Sequence, residues 1–136
     1  MTLVVDTNAY TAFCRGIESV INAFEEADAL IVPSIVAGEL YSRFMQGNRR
    51  EANWREFNTF LSQNGISLQS IGQSEAEKYA LLVKNLKEAG PPVPTNDIWI
   101  AATALVSGAA VIARDANFSV RSKSKARPMA SITLSQ

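Results

Sequence analysis

Four carboxylates stand apart from every other charge in this chain. Asp6 is the only charged side chain between Met1 and Cys14, and Glu39 the only one between Asp28 and Arg43. Asp97 is alone between Glu88 and Arg114. Asp115 follows Arg114, and no further charge appears until Arg121. The remaining nine acids sit among other charges, as in Glu25–Glu26 or Glu51 with Glu56, in the manner of solvated helix faces. A carboxylate in an apolar stretch is costly to bury unless something satisfies it. Four converging on one pocket would repel one another and raise one another's pKa, and bound divalent cations relieve that repulsion. Oxygen ligands without histidine or cysteine suit Mg²⁺ or Mn²⁺. An acid cluster holding such ions suits phosphoryl chemistry, with a water made nucleophilic and the charge on the leaving oxygen stabilised.

Each acid also has a purely structural reading. Asp6 would cap a helix beginning near Thr7, and Asp97 would favour the first turn of its own helix through the dipole. Glu39 would pair with Arg43 four residues on, and Asp115 would sit in the turn "RDANF". Taken singly these readings compete well; taken together, four isolated acids at strand ends and helix starts favour a shared site.

The elements that must position these acids follow from the apolar pattern. "TLVVD", "ALIVP", "ISLQSI" and "AAVIA" read as four short strands, and "SITL" as a fifth. Helices are expected over about 7–27 in one or two pieces broken near Gly16, then from Ser34, as cap, to about 46. Further helices are expected over about 50–63, 74–89 and 96–106, with "GPPVP" a stiff linker before the last. Strands that are continuously apolar and alternate with helices predict a parallel sheet covered on both faces, a three-layer α/β/α sandwich of four to five strands in a single domain over residues 1–136. Ligands of such sheets bind beyond the carboxyl ends of the strands, where Asp6 and Asp115 both fall.

Composition narrows the chemistry. The 136 residues suit one domain, with thirteen basic and thirteen acidic residues in balance, so attraction to nucleic acid needs a local patch. There is no histidine, which removes the usual neutral-pH base and the commonest metal ligand. Cys14 is alone and reads as a small buried hydrophobe, with no disulfide or cysteine-zinc framework. No secretory signal or membrane-length apolar run is visible, and a reducing cytoplasm is the expected setting.

The four segments "VVDTNAY" (4–10), "PSIVAGELY" (33–41), "PTNDIWIAATAL" (94–105) and "VIARDANF" (111–118) together resemble the PIN-domain family, most closely its VapC-type toxins. The resemblance spans nearly the whole chain. It implies a small metal-dependent endoribonuclease, the toxin of a toxin–antitoxin pair, cutting RNA by attack of a metal-activated water that leaves a 5′-phosphate. It implies that Asp6, Glu39, Asp97 and Asp115 form the catalytic quartet that binds Mg²⁺ or Mn²⁺. Asn8 matches the residue that supports the first acid, Asn96 precedes the third, and Asn117 is a further candidate near the metals. An antitoxin partner and a homodimer are also implied, with no membrane association. Two departures stand out. Ala113 occupies a position where the family usually has Thr or Ser, which removes a supporting hydrogen bond. Arg43 follows the Glu motif where glycine is frequent, which puts a cation near the site.

Arg121, Lys123, Lys125 and Arg127, with serines between, read as a phosphate-contacting RNA loop or as a solvated loop. Arg49, Arg50 and Arg55 offer cations on another edge, where helix solvation explains them as well. Phe44, Trp54 and Phe57 are candidates for core or for an antitoxin groove, and Trp99 reads as core. Two other functions compete: a PIN-like scaffold that binds RNA or protein without cutting, kept open by Ala113, and a phosphatase forming an aspartyl-phosphate on Asp6. The second wants an acid where Asn8 stands and ranks below the others. No Gly-rich phosphate loop follows the first strand, which argues against a nucleotide-binding module.

Overall fold

The computed structural model describes residues 1–113 and 131–133. Along the chain run β1 (Thr2–Val5), α1 (Thr7–Cys14), α2 (Glu18–Glu26), β2 (Ala29–Pro33), α3 (Ser34–Gln46), α4 (Arg50–Leu61), β3 (Ile66–Gln69), α5 (Gln73–Ala89), α6 (Thr95–Ser107), β4 (Ala110–Ala113) and β5 (Ser131–Thr133). The strands form one sheet in the order β3-β2-β1-β4-β5, and every pairing is parallel.

Burial explains why the strands are short apolar runs rather than alternating ones. Successive strand residues point to opposite faces, yet Leu3, Val4 and Val5 are all buried, as are Ala110, Val111 and Ile112. Both faces of the sheet centre are therefore covered, giving the expected three-layer α/β/α sandwich. The edge strand β3 shows a more polar, half-exposed pattern than β1 and β2.

The first half of the chain builds outward from β1 to β2 and β3. The route through α5 and α6 then returns to the other side of β1 as β4. Neighbouring connections thus diverge between β1 and β4, which is where open parallel sheets leave a crevice beyond their carboxyl ends. Leu3 lies level with Ala110 and Val5 with Ile112, so Asp6 emerges at that crevice.

Helix ends follow their local chemistry, with two departures from expectation. Ser34 does not cap α3: it is the first helical residue, and Pro33, with extended backbone and no side-chain bond, precedes it. Proline ends the strand and starts the helix within one residue. At α5, Glu75 reaches back to accept the Gly72 N–H at 2.8 Å and is itself buried, a role the sequence reading overlooked. Gly108 closes α6 in the left-handed region, at φ 63°, which lets β4 begin two residues later.

An aromatic cluster fills one layer. Tyr10 meets Phe57 and Phe60 edge-on, each at 5.1 Å between ring centres, and Phe13 stacks on Phe24 at 4.9 Å. Phe57 is fully buried in this cluster and Phe44 nearly so, which gives both the core role among those expected of them. Trp54 is half-buried and stacks on Tyr41 at 4.3 Å. Trp99, expected in the core, is likewise half-buried, lying flat on Tyr79 at 3.9 Å.

Phe57 is 0% exposed at the centre of this cluster. Phe57→Ala should destabilise the fold by about 3–5 kcal/mol. A loss well below 2 kcal/mol in urea unfolding would mean that the cluster collapses around the gap.

Candidate functional site

The carboxyl edge of the sheet collects three of the four isolated acids on three different elements. Asp6 ends β1, Glu39 lies in the second turn of α3, and Asp97 lies in the first turn of α6. Two hydrogen bonds tie these elements together, and both end on Glu39. The Thr7 hydroxyl donates to Glu39 Oε1, and Asn96 Nδ2 donates to Glu39 Oε2 at 2.8 Å. Thr7 and Asn96 are the immediate neighbours of Asp6 and Asp97, so Glu39 draws the segments carrying the other two acids toward itself.

Asp6 is 4% exposed. Its Oδ1 accepts the Ala9 N–H at 2.7 Å, capping α1. The structural reading of Asp6 therefore holds: its side chain caps α1. Asp97 occupies the α6 first turn, where the dipole favours an anion, and is half-buried. Glu39 does not pair with Arg43. That guanidinium turns instead to Thr11 Oγ1 at 3.4 Å, while the Glu39 oxygens hold the neutral donors of Thr7 and Asn96.

Asn8 is exposed and makes no hydrogen bond among the described residues. A hydroxyl contact to Glu39 comes from Thr7, a residue not expected to take part. Its signal was a hydroxyl directly after the first acid, at a helix start where side chains turn back toward the sheet. Asn96 was singled out, and it makes the second contact to Glu39. Asp115, Asn117, Arg121, Lys123, Lys125 and Arg127 lie outside the described residues, as does the side chain of Ala113. Among the described residues, no three acids or cysteines draw close enough to form a metal-holding group. The donors at this edge are carboxylate, amide and hydroxyl oxygens, the chemistry that hard divalent cations prefer.

Cys14 departs from expectation: it is exposed, not buried. It lies one turn beyond buried Tyr10, at the end of α1, where the helix face passes out of the core. Burial pushes the Tyr10 hydroxyl above the usual phenol range, with the adjacent Cys14 adding to the shift, so it remains protonated.

An open parallel α/β sandwich with Asp6 and the Glu39 bridge at its switch point is an architecture that binds ligands beyond the carboxyl ends of its strands. The chain belongs to the PIN domain family, whose model matches residues 3–123. It is 34% identical over 87 residues to Ribonuclease VapC4 of Mycobacterium tuberculosis (strain ATCC 25618 / H37Rv), covering 64% of this chain and 67% of that protein. Among solved structures it superposes on DNA-bound VapBC from Salmonella typhimurium with a TM-score of 0.81, at 18% identity and 98% coverage of each chain. It superposes on VapBC-5, a toxin–antitoxin system from Mycobacterium tuberculosis, with a TM-score of 0.73, at 22% identity and the same coverage. At such identities the likeness is one of fold.

The two roles of Asp6 separate by substitution. Asparagine caps helices about as well as aspartate, whereas alanine costs about 1 kcal/mol. Asp6→Ala should therefore unfold at lower urea than the parent, and Asp6→Asn close to it. Equal losses in the two variants would mean that capping is not what the side chain contributes.

Proposed function

We propose that this chain is a metal-dependent endoribonuclease of the VapC type, the toxin of a toxin–antitoxin pair, hydrolysing phosphodiester bonds in RNA. The observation that carries this reading is the bridge at Glu39, which joins the Asp6 and Asp97 segments at the sheet's switch point. The similarity to Ribonuclease VapC4 supports the choice of RNA as substrate, and the likeness to VapBC assemblies supports an antitoxin partner.

In this reading Asp6, Glu39, Asp97 and Asp115 hold Mg²⁺ or Mn²⁺. A cation bound there would acidify a water and steady the charge on the scissile phosphate. The chain's own residues do the positioning. Thr7 and Asn96 fix the plane of the Glu39 carboxylate, and the Ala9 N–H fixes one oxygen of Asp6. With no histidine in the chain, a positioned water, not a side-chain base, fits the attack. Asn8 and Asn117 are proposed as outer supports, and Arg121, Lys123, Lys125 and Arg127 as RNA contacts. We further propose a single domain over residues 1–136 that acts as a homodimer in the cytoplasm. No helix among the described residues is long and apolar enough to cross a membrane.

The test is cleavage of total cellular RNA by purified, antitoxin-free protein, with and without Mg²⁺ or Mn²⁺. Discrete, metal-dependent fragments are expected, lost on chelation and in Asp97→Asn. Asn96→Ala should lower the rate about 10–100-fold, as loss of a ligand's supporting hydrogen bond does. Folded protein that cuts nothing with either metal would overturn the proposal in favour of a binding-only scaffold.

A further inference from the structure

Two rungs join α1 to α3, one helical turn apart. The upper rung is Thr7 to Glu39. The lower is Arg43 Nη1 to Thr11 Oγ1 at 3.4 Å, with the Thr11 hydroxyl donating to Thr7 O at 3.0 Å. A rise of about 6 Å, four residues, therefore separates an anionic rung from a cationic one. Beyond the cationic rung, α1, α3 and the start of α4 enclose a groove of about 530 Å³.

The charge of this groove departs from that of the chain. Arg15, Arg43 and Arg49 line it against a single acid, Glu56, in a protein of zero net charge. Glu56 faces the Cys14 thiol and forms no ion pair among the described residues. The side chains of Arg15 and Arg49 engage no hydrogen-bond or ion-pair partner among the described residues, and that of Arg43 only the long contact to Thr11. The apolar lining is already occupied with the core: Tyr10, Leu40 and Phe44 are 4%, 1% and 9% exposed. A peptide anchored by apolar side chains would find little to bury here. A polyanion would find guanidinium groups, each offering a planar fork of donors to phosphate.

We infer that this groove carries the phosphate backbone of the RNA strand away from the acids, Arg43 holding the phosphate nearest them and Arg15 and Arg49 the ones beyond. The inference rests on the ribonuclease reading and adds to it a path for the substrate. It explains why a cation follows Glu39 by one turn without neutralising it: Arg43 faces the strand, not the acid.

The test is binding of a fluorescein-labelled single-stranded RNA of random sequence, read by fluorescence anisotropy across a salt series, in an Asp97→Asn background that prevents cutting. Replacing Arg43 and Arg49 together by alanine should weaken binding by about tenfold or more and flatten the log–log salt slope by about 1.4, the loss of two single-strand phosphate contacts. Arg43→Lys with Arg49→Lys should keep most of the slope. Arg55→Ala, on another face of α4 and outside the groove, should change neither quantity. Unchanged affinity and slope in the double alanine variant overturn the track, as does an equal loss in Arg55→Ala. If the parent protein cuts RNA while the double variant binds normally, the track fails and the nuclease stands. If the parent neither cuts nor binds RNA, both fail.

Discussion

The parallel pairing of β1 along both of its edges is the constraint on which the molecule depends. It forces crossover helices onto the two faces, which is why Leu3, Val4 and Val5 are all buried. It also points every strand's carboxyl end the same way. Asp6 and the start of α3 thereby arrive at one edge without any long-range recognition between them. The acids do not assemble the fold. The fold delivers the acids, and only the last adjustment is local, through Thr7 and Asn96 on Glu39.

Much of this was legible in the sequence, and the reason is physical. Strands buried on both faces leave uninterrupted apolar runs, so "TLVV", "ALIVP" and "AVIA" could be read almost to the residue. Isolated charges are equally conspicuous against such runs. What escaped was decided by tertiary direction. Thr7 looked like an ordinary helix residue because nothing local says that its hydroxyl faces α3. Glu39 and Arg43 have ideal spacing for an ion pair, yet Thr7 and Asn96 reach the carboxylate first. Cys14 follows Tyr10 by one turn on the same face, but the core ends between them. Trp99 sits in an apolar helix and still finds its partner, Tyr79, on a neighbouring helix near the surface.

Asp6 illustrates how structural and chemical demands share one side chain. One oxygen accepts the Ala9 N–H and finishes a helix, on a side chain that ends β1 at the carboxyl edge of the sheet. The same holds for α6, whose first turn favours an anion by its dipole whatever that anion later does. Readings framed as alternatives are thus layered: the cap holds the carboxylate still, and a still carboxylate makes a better ligand.

The partners of Glu39 are a hydroxyl and an amide, both neutral. Such donors orient a carboxylate but leave its formal charge intact, unlike the guanidinium one turn away that turns toward Thr11. The folded chain therefore keeps a directed negative potential where an ion pair would have quenched it. In the language of energy landscapes, a charge held by neutral donors with no counter-charge among the described residues is a point of local frustration. Under the proposed function, such an edge would favour an occupant that arrives with positive charge and oxygen affinity over a neutral one.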